Sequence, residues 1–162
     1  PVSGKSGLDK AFQSNRWWEY QLNAPGRRSM FTNINAAIAL PQFTALQDNF
    51  VRRSEIRLQY CMAIDGHGKF SYSKQEDNNV IYSNYFFTVI SEERDNLAKF
   101  LKDNNVYSTF RYFPLHKIDI FKEYASGPLN GAEGFSQTAL NIPIHHNLKD
   151  VEVELICKLL ST

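Results

Sequence analysis

The chain has 162 residues, 43% of them hydrophobic and 22% charged, with a formal net charge of +1. That length and composition suit one globular domain, or one and part of another, with a buried core. A near-neutral chain gives no bulk electrostatic case for nucleic acid or an anionic membrane, no apolar run approaches the roughly 20 residues of a membrane-spanning helix, and no signal-peptide pattern is present.

Residues 1–7 are small and polar and read as a loose end, followed by a short helix over 8–14. The stretch NRWWEYQLNAPGRRSMF, residues 15–31, is rich in aromatics and turn residues and has no clean period. Pro25-Gly26 marks a turn within it. Thr32 is placed to cap a helix over NINAAIAL, and Pro41, which lacks an amide hydrogen, is expected to end or kink that helix. A second helix is expected over residues 42–64, with Phe43, Leu46, Phe50, Ile56, Tyr60 and Ala63 near helical spacing. Arg52, Arg53 and Arg57 occupy its charged flank.

Two glycines in DGHGKF end that helix, and residues 65–79 read as a polar loop. VIYSNYFFTVI, 80–90, has the aromatic and β-branched composition of a strand. Ser91 caps a helix with Leu97, Phe100 and Leu101 on one face. VYSTFRYF, 106–113, is the next strand, alternating Tyr107, Thr109, Arg111 and Phe113 against the other face. Pro114 stops it. A short helical turn over DIFKEY, a loop over GPLNG, a helix over GFSQTAL and an extended NIPIH follow. Asp150 opens a final helix carrying Val151, Leu155, Ile156, Leu159 and Leu160. The predicted fold class is therefore mixed α/β: a small sheet packed by helices, with a long helix leading into it. The two cysteines, Cys61 and Cys157, form no Cys-x-x-Cys pair. They read as free buried thiols in a reducing compartment, not as zinc ligands.

Two segments carry candidate chemistry. Arg27 and Arg28 follow a Pro-Gly turn and precede a helix start, where unpaired amides and guanidinium donors together favour an anion such as phosphate. The competing reading is a pair of exposed loop arginines. In FRYFPLHK, 110–117, Arg111 and His116 are placed to face one cavity. The competing reading is a surface ladder with His116 as a strand-end hydrogen-bonding group. His67 reads as solvent-exposed. His145 and His146 are adjacent on an extended segment and point opposite ways, which is unsuited to one metal ion.

Taken in order, these segments resemble sugar aminotransferases of the DegT/DnrJ/EryC1/StrS family. That family has a Gly-Tyr-Asn-Tyr-Arg-Met stretch before an Ala-Ala helix, then a long helix with Arg-Arg and a Tyr. Gly26, Asn33, Ala36, Ala37, Gln42, Arg52, Arg53 and Tyr60 match this pattern. Thr109, Arg111, Tyr112, Pro114, Leu115 and His116 resemble its Thr-x-x-(His/Arg)-Tyr-x-Pro-Leu-His signature. Pro143, His145, Leu148, Asp150 and Val153 resemble its closing block. The resemblance covers nearly the whole chain in one register.

The resemblance implies the α+β small domain of fold-type I pyridoxal phosphate enzymes, joined by a long helix to a remnant of the large domain. The implied organisation is 1–41, the end of the large domain with an inter-subunit loop; 42–64, the linking helix; and 65–162, the small domain. It further implies transamination of a nucleotide-linked keto sugar, with glutamate as amino donor, in a cytoplasmic homodimer. The family's Schiff-base lysine and pyridine-binding aspartate lie upstream of the matched region, so the resemblance implies that the chain is the C-terminal part of such an enzyme, inactive without its N-terminal portion. The alternative is a stand-alone, non-catalytic binding or assembly module. By resemblance, Arg28 is expected at the cofactor phosphate, and Arg27, Arg111, Tyr112 and His116 at the substrate. Arg28 stands where the family has an asparagine and Met30 where it has an arginine, so both roles depart from the family pattern.

Overall fold

The computed structural model describes residues 31–75, 77 and 79–162. The expectations for residues 1–30, including Arg27, Arg28 and the paired tryptophans, lie outside the described residues. The chain divides into two units, Pro1–Thr44 and Ala45–Thr162.

In the first unit, helix α1 spans Asn33–Thr44. Thr32 caps it as expected, its Oγ1 accepting the Asn35 N–H at 3.2 Å. Pro41 lies inside the helix and does not end it. Proline forfeits one intrahelical bond, to the carbonyl four residues back, and the amides after it still donate. The break comes instead at Ala45. No residue of α1 is buried, and Ile34, Ile38 and Phe43 are all exposed.

The second unit begins with α2, Leu46–Asp65, whose residues Ile56, Tyr60 and Ile64 repeat every four positions and are buried along one stripe. A three-stranded antiparallel sheet follows in the order β1–β2–β3. β1 is Ser71–Tyr72, β2 is Phe87–Ile90 and β3 is Ala139–Ile142. Phe87 opposes Ile142 and Ile90 opposes Ala139 across the β2–β3 ladder. Helix α3, Arg94–Asp103, lies between β2 and the site loop, and α4, Asn130–Thr138, runs directly into β3. The final helix α5, Asp150–Leu160, packs on α2. Arg52 ties these two helices at their edge, donating to the Leu148 carbonyl at 2.9 Å and to Asp150 Oδ1 at 2.6 Å. The core joins the stripe of α2, Phe87 and Val89 of β2, Leu97 and Leu101 of α3, Leu140 and Ile142 of β3, and Val153, Ile156 and Leu160 of α5.

Two expected strands are shorter than their sequence pattern and one helix is shifted along the chain, each for a visible reason. The strand over 80–90 is confined to 87–90. Asn84 adopts φ 46°, outside the extended region, and its side chain bonds Ser54 Oγ and Gln75. The strand over 106–113 reduces to one bridge between Thr109 and Asn141. The Arg111 amide leaves the ladder to donate to the Asn141 side chain instead. The helix expected over GFSQTAL begins earlier, at Asn130 inside the stretch GPLNG expected as a loop, and ends at Thr138, because Ala139 and Leu140 pair with β2. Conversely, β1 forms inside the expected polar loop.

The end of α3 sets the course of the site segment. Asn105 adopts the left-handed φ of 61°. The Val106 N–H reaches the Leu101 carbonyl at 2.8 Å and the Asn105 N–H reaches Lys102 at 3.0 Å. This is the Schellman arrangement, with buried Val106 and Leu101 as its apolar contact. It turns residues 106–111 back across the exposed flank of β3.

Candidate active-site wall

Residues 106–111 keep an alternating side-chain pattern even where they leave the sheet. Tyr107, Thr109 and Arg111 all line one cleft of about 350 Å³, together with Tyr85, Asn141 and His145. Thr109 is locked to Asn141 by both backbone bonds, 2.9 and 2.6 Å. The Arg111 guanidinium donates from Nη1 to the Tyr85 hydroxyl at 2.9 Å and stands 6.0 Å from that ring's centroid. Among the described residues Tyr85 is its only side-chain partner, and no carboxylate pairs with it. A guanidinium has five N–H donors in a planar fork. An arginine held at a cleft wall without a carboxylate is suited to a planar or tetrahedral anion. The aromatic faces of Tyr85, Phe86 and Tyr107 supply an apolar flank to the same cleft.

His116 does not share this cleft. Pro114 ends the extended run, and Leu115–Lys117 turns as one 3₁₀ turn. That turn carries the imidazole toward α4, where Nε2 lies 3.2 Å from Glu133 Oε1. Lys117 Nζ binds the other oxygen, Glu133 Oε2, at 2.8 Å. One carboxylate thus clamps both side chains. His116 lines a separate, largely apolar cavity of about 680 Å³ with Leu115, Phe121, Tyr124 and Leu129. Tyr112 is exposed and lines neither cavity. Of the four expected substrate residues, the structure places Arg111 in the cleft, His116 in a neighbouring cavity and Tyr112 at the surface. Arg27, like the expected phosphate residue Arg28, lies outside the described residues. Sequence patterning missed Tyr85, Asn141 and Glu133. The one available signal was Asn141 itself, a polar residue within the apolar run ALNI, which must find buried partners.

The Glu133 clamp has a pH signature. Hydrogen bonding from Lys117, and then from His116, holds the Glu133 carboxyl below its ordinary value of 4.5. A carboxyl depressed on folding adds stability above its unfolded value and loses it as pH falls through the folded value. The gap in thermal midpoint between the native chain and Glu133→Gln is therefore expected at neutral pH and should close as pH falls below 4.5. A gap that persists unchanged in acid would show that the charge on Glu133 is not what matters.

Pyridoxal phosphate requires a lysine amine kept from water and free of ion pairs. Among the described residues every lysine is exposed except Lys117, which is half-buried and bound to Glu133. The described residues therefore do not fit the cofactor's covalent anchor.

The model of the DegT/DnrJ/EryC1/StrS aminotransferase family matches residues 5–161. The chain belongs to this family. It is 34% identical over 154 residues to dTDP-4-dehydro-2,3,6-trideoxy-D-glucose 4-aminotransferase of Saccharopolyspora spinosa, covering 93% of this chain and 39% of that protein. Among solved structures it superposes on the aminotransferase TlmJ of Streptoalloteichus hindustanus with a TM-score of 0.78 and 32% identity, over 91% of this chain and 40% of that one. It shares its fold with Spr1654 of Streptococcus pneumoniae in the PLP-form, at a TM-score of 0.75 and 22% identity, over 89% and 38% of the two chains. The chain thus spans about two fifths of the length of the family members it matches. Its helices and small antiparallel sheet are the fold-type I aminotransferase arrangement over that region. No helix among the described residues is long and apolar enough to cross a membrane.

Proposed function

We propose that this chain supplies the substrate-side wall of a pyridoxal phosphate-dependent aminotransferase acting on a nucleotide-linked keto sugar, with glutamate as the amino donor. In this reading residues 1–41 end the large domain, 42–64 form the linking helix and 65–162 the small domain. The cofactor's lysine comes from an N-terminal portion, without which the chain is inactive, and the working enzyme is a cytoplasmic homodimer. By the family resemblance Arg28 serves the cofactor phosphate and Arg27 the substrate, while Tyr112, at the surface, and His116, in its own cavity, meet substrate groups other than the one Arg111 binds.

One observation carries the reading: the Arg111 guanidinium stands at an aromatic-flanked cleft with a neutral phenol, not a carboxylate, as its described partner. A diphosphate offers the charge that this fork lacks, and the rings suit a base or sugar face. The exposed apolar residues of α1 support a larger assembly. The alternative, a stand-alone binding module, draws support from the closed core of residues 45–162.

Titration with thymidine diphosphate, guanosine diphosphate and inorganic phosphate tests the cleft. Charged hydrogen bonds contribute roughly 1.5–3 kcal/mol, so Arg111→Ala should weaken diphosphate binding about ten- to hundredfold. Equal affinity for the native chain and the variant would remove Arg111 from the site.

A further inference from the structure

We infer that Asn141 is the positioning residue that aims Arg111 into the cleft, an inference that rests on the proposed reading of that cleft. Asn141 is 5% exposed and sits in the middle of β3. Its backbone is bonded in both directions to Thr109. Its side chain makes two further bonds: Oδ1 accepts the Arg111 backbone N–H at 2.8 Å, and Nδ2 donates to Thr88 Oγ1 at 2.8 Å. Thr88 is itself 6% exposed on the central strand.

The orientation of the Asn141 amide follows from chemistry. A backbone N–H only donates, so the oxygen must face Arg111; the Thr88 hydroxyl can donate or accept and takes what remains. One buried side chain thus fixes the Arg111 backbone against β2 and β3, two residues beyond the last backbone pairing at Thr109. With its Cα held there, the Arg111 side chain reaches the Tyr85 hydroxyl across the cleft. Asn141 acts through Arg111: its oxygen is engaged by the Arg111 N–H and its nitrogen by Thr88.

Asn141→Leu keeps the branched shape, though with bulkier methyl groups, and removes both side-chain bonds, leaving a part-buried Arg111 N–H without an acceptor. Thr88→Val is the milder variant, cutting only the anchor to β2. Asn141→Asp is the conservative one, since a carboxylate still accepts from Arg111 and the Thr88 hydroxyl can turn to donate. Two measurements on the isotope-labelled full chain decide the question. The first is hydrogen-exchange protection of the Arg111 amide, which needs no ligand. The second is affinity for thymidine diphosphate in Asn141→Leu, Arg111→Ala and the double variant.

The expected result is loss of Arg111 protection in Asn141→Leu, its retention in Asn141→Asp, an affinity loss of about tenfold, and a double variant no weaker than Arg111→Ala. Non-additivity of that kind marks two residues acting as one unit. Unchanged Arg111 protection, or losses that multiply in the double variant, would overturn the inference. If Asn141→Leu does not fold, Thr88→Val is judged by the same two criteria. If the native chain binds no diphosphate, the reading of the cleft fails, and the positioning role stands or falls on Arg111 protection alone.

Discussion

Phe87→Ala is expected to destabilise the second unit by about 3–5 kcal/mol. Phe87 is fully buried at the start of the central strand. The Tyr60 ring meets it edge-on at 5.4 Å between centroids, the Tyr72 ring lies at 5.8 Å, and the Arg57 guanidinium stands 5.2 Å over its face. Removing the ring therefore unsupports residues from α2 and β1 together. The cavity is lined partly by α2, whose Tyr60 is also tied by its hydroxyl to the Pro143 carbonyl at 2.9 Å, so the walls cannot collapse freely. Domains of this size are stable by only about 5–15 kcal/mol, so the loss is a large fraction of the whole. Denaturant unfolding followed by circular dichroism measures it. Tyr124→Ala, at a residue 76% exposed, serves as the control and should change stability by no more than about 0.5 kcal/mol. A loss at Phe87 as small as at Tyr124 would mean that the ring is not the keystone of this core.

The largest effect on activity is expected from completing the chain. Alone, with pyridoxal phosphate, glutamate and a dTDP-linked keto sugar, it should show neither the visible absorbance of lysine-bound cofactor nor amino transfer. Joined to the N-terminal portion of the S. spinosa aminotransferase, which it resembles at 34% identity, both should appear. They should be absent from that N-terminal portion tested without the chain. Arg111→Ala in the joined enzyme should then raise the KM for the sugar nucleotide, because the lost interaction binds substrate. Lysine-bound cofactor in the isolated chain would overturn the proposal. If the joined enzyme binds cofactor but has the same KM with and without Arg111, the chain completes the fold and a different residue holds the substrate.

Where helices form was readable from local pattern. The cap at Thr32, the four-residue stripe Ile56, Tyr60 and Ile64, and the start of the last helix at Asp150 all depend on neighbours within one or two turns. The family was readable for a similar reason, because its motifs are short runs in a fixed order, and Arg111 was found inside one of them. Strand lengths were not readable in the same way. Nothing local in residues 80–86 reveals that Asn84 turns aside to meet Ser54, 30 residues earlier.

The order of the chain's motifs was enough to place it among sugar aminotransferases and to single out Arg111 and His116. They could not decide whether those two residues meet. That depended on Pro114 turning the chain, on Glu133 capturing His116 from 17 residues away, and on Asn141 reaching back 30 residues to the Arg111 amide and 53 to Thr88. Helical periodicity is a property of adjacent turns, whereas these pairings are made only when β2, β3 and α4 pack. A polar side chain's partner is set by which buried donors and acceptors the packed elements leave unpaired.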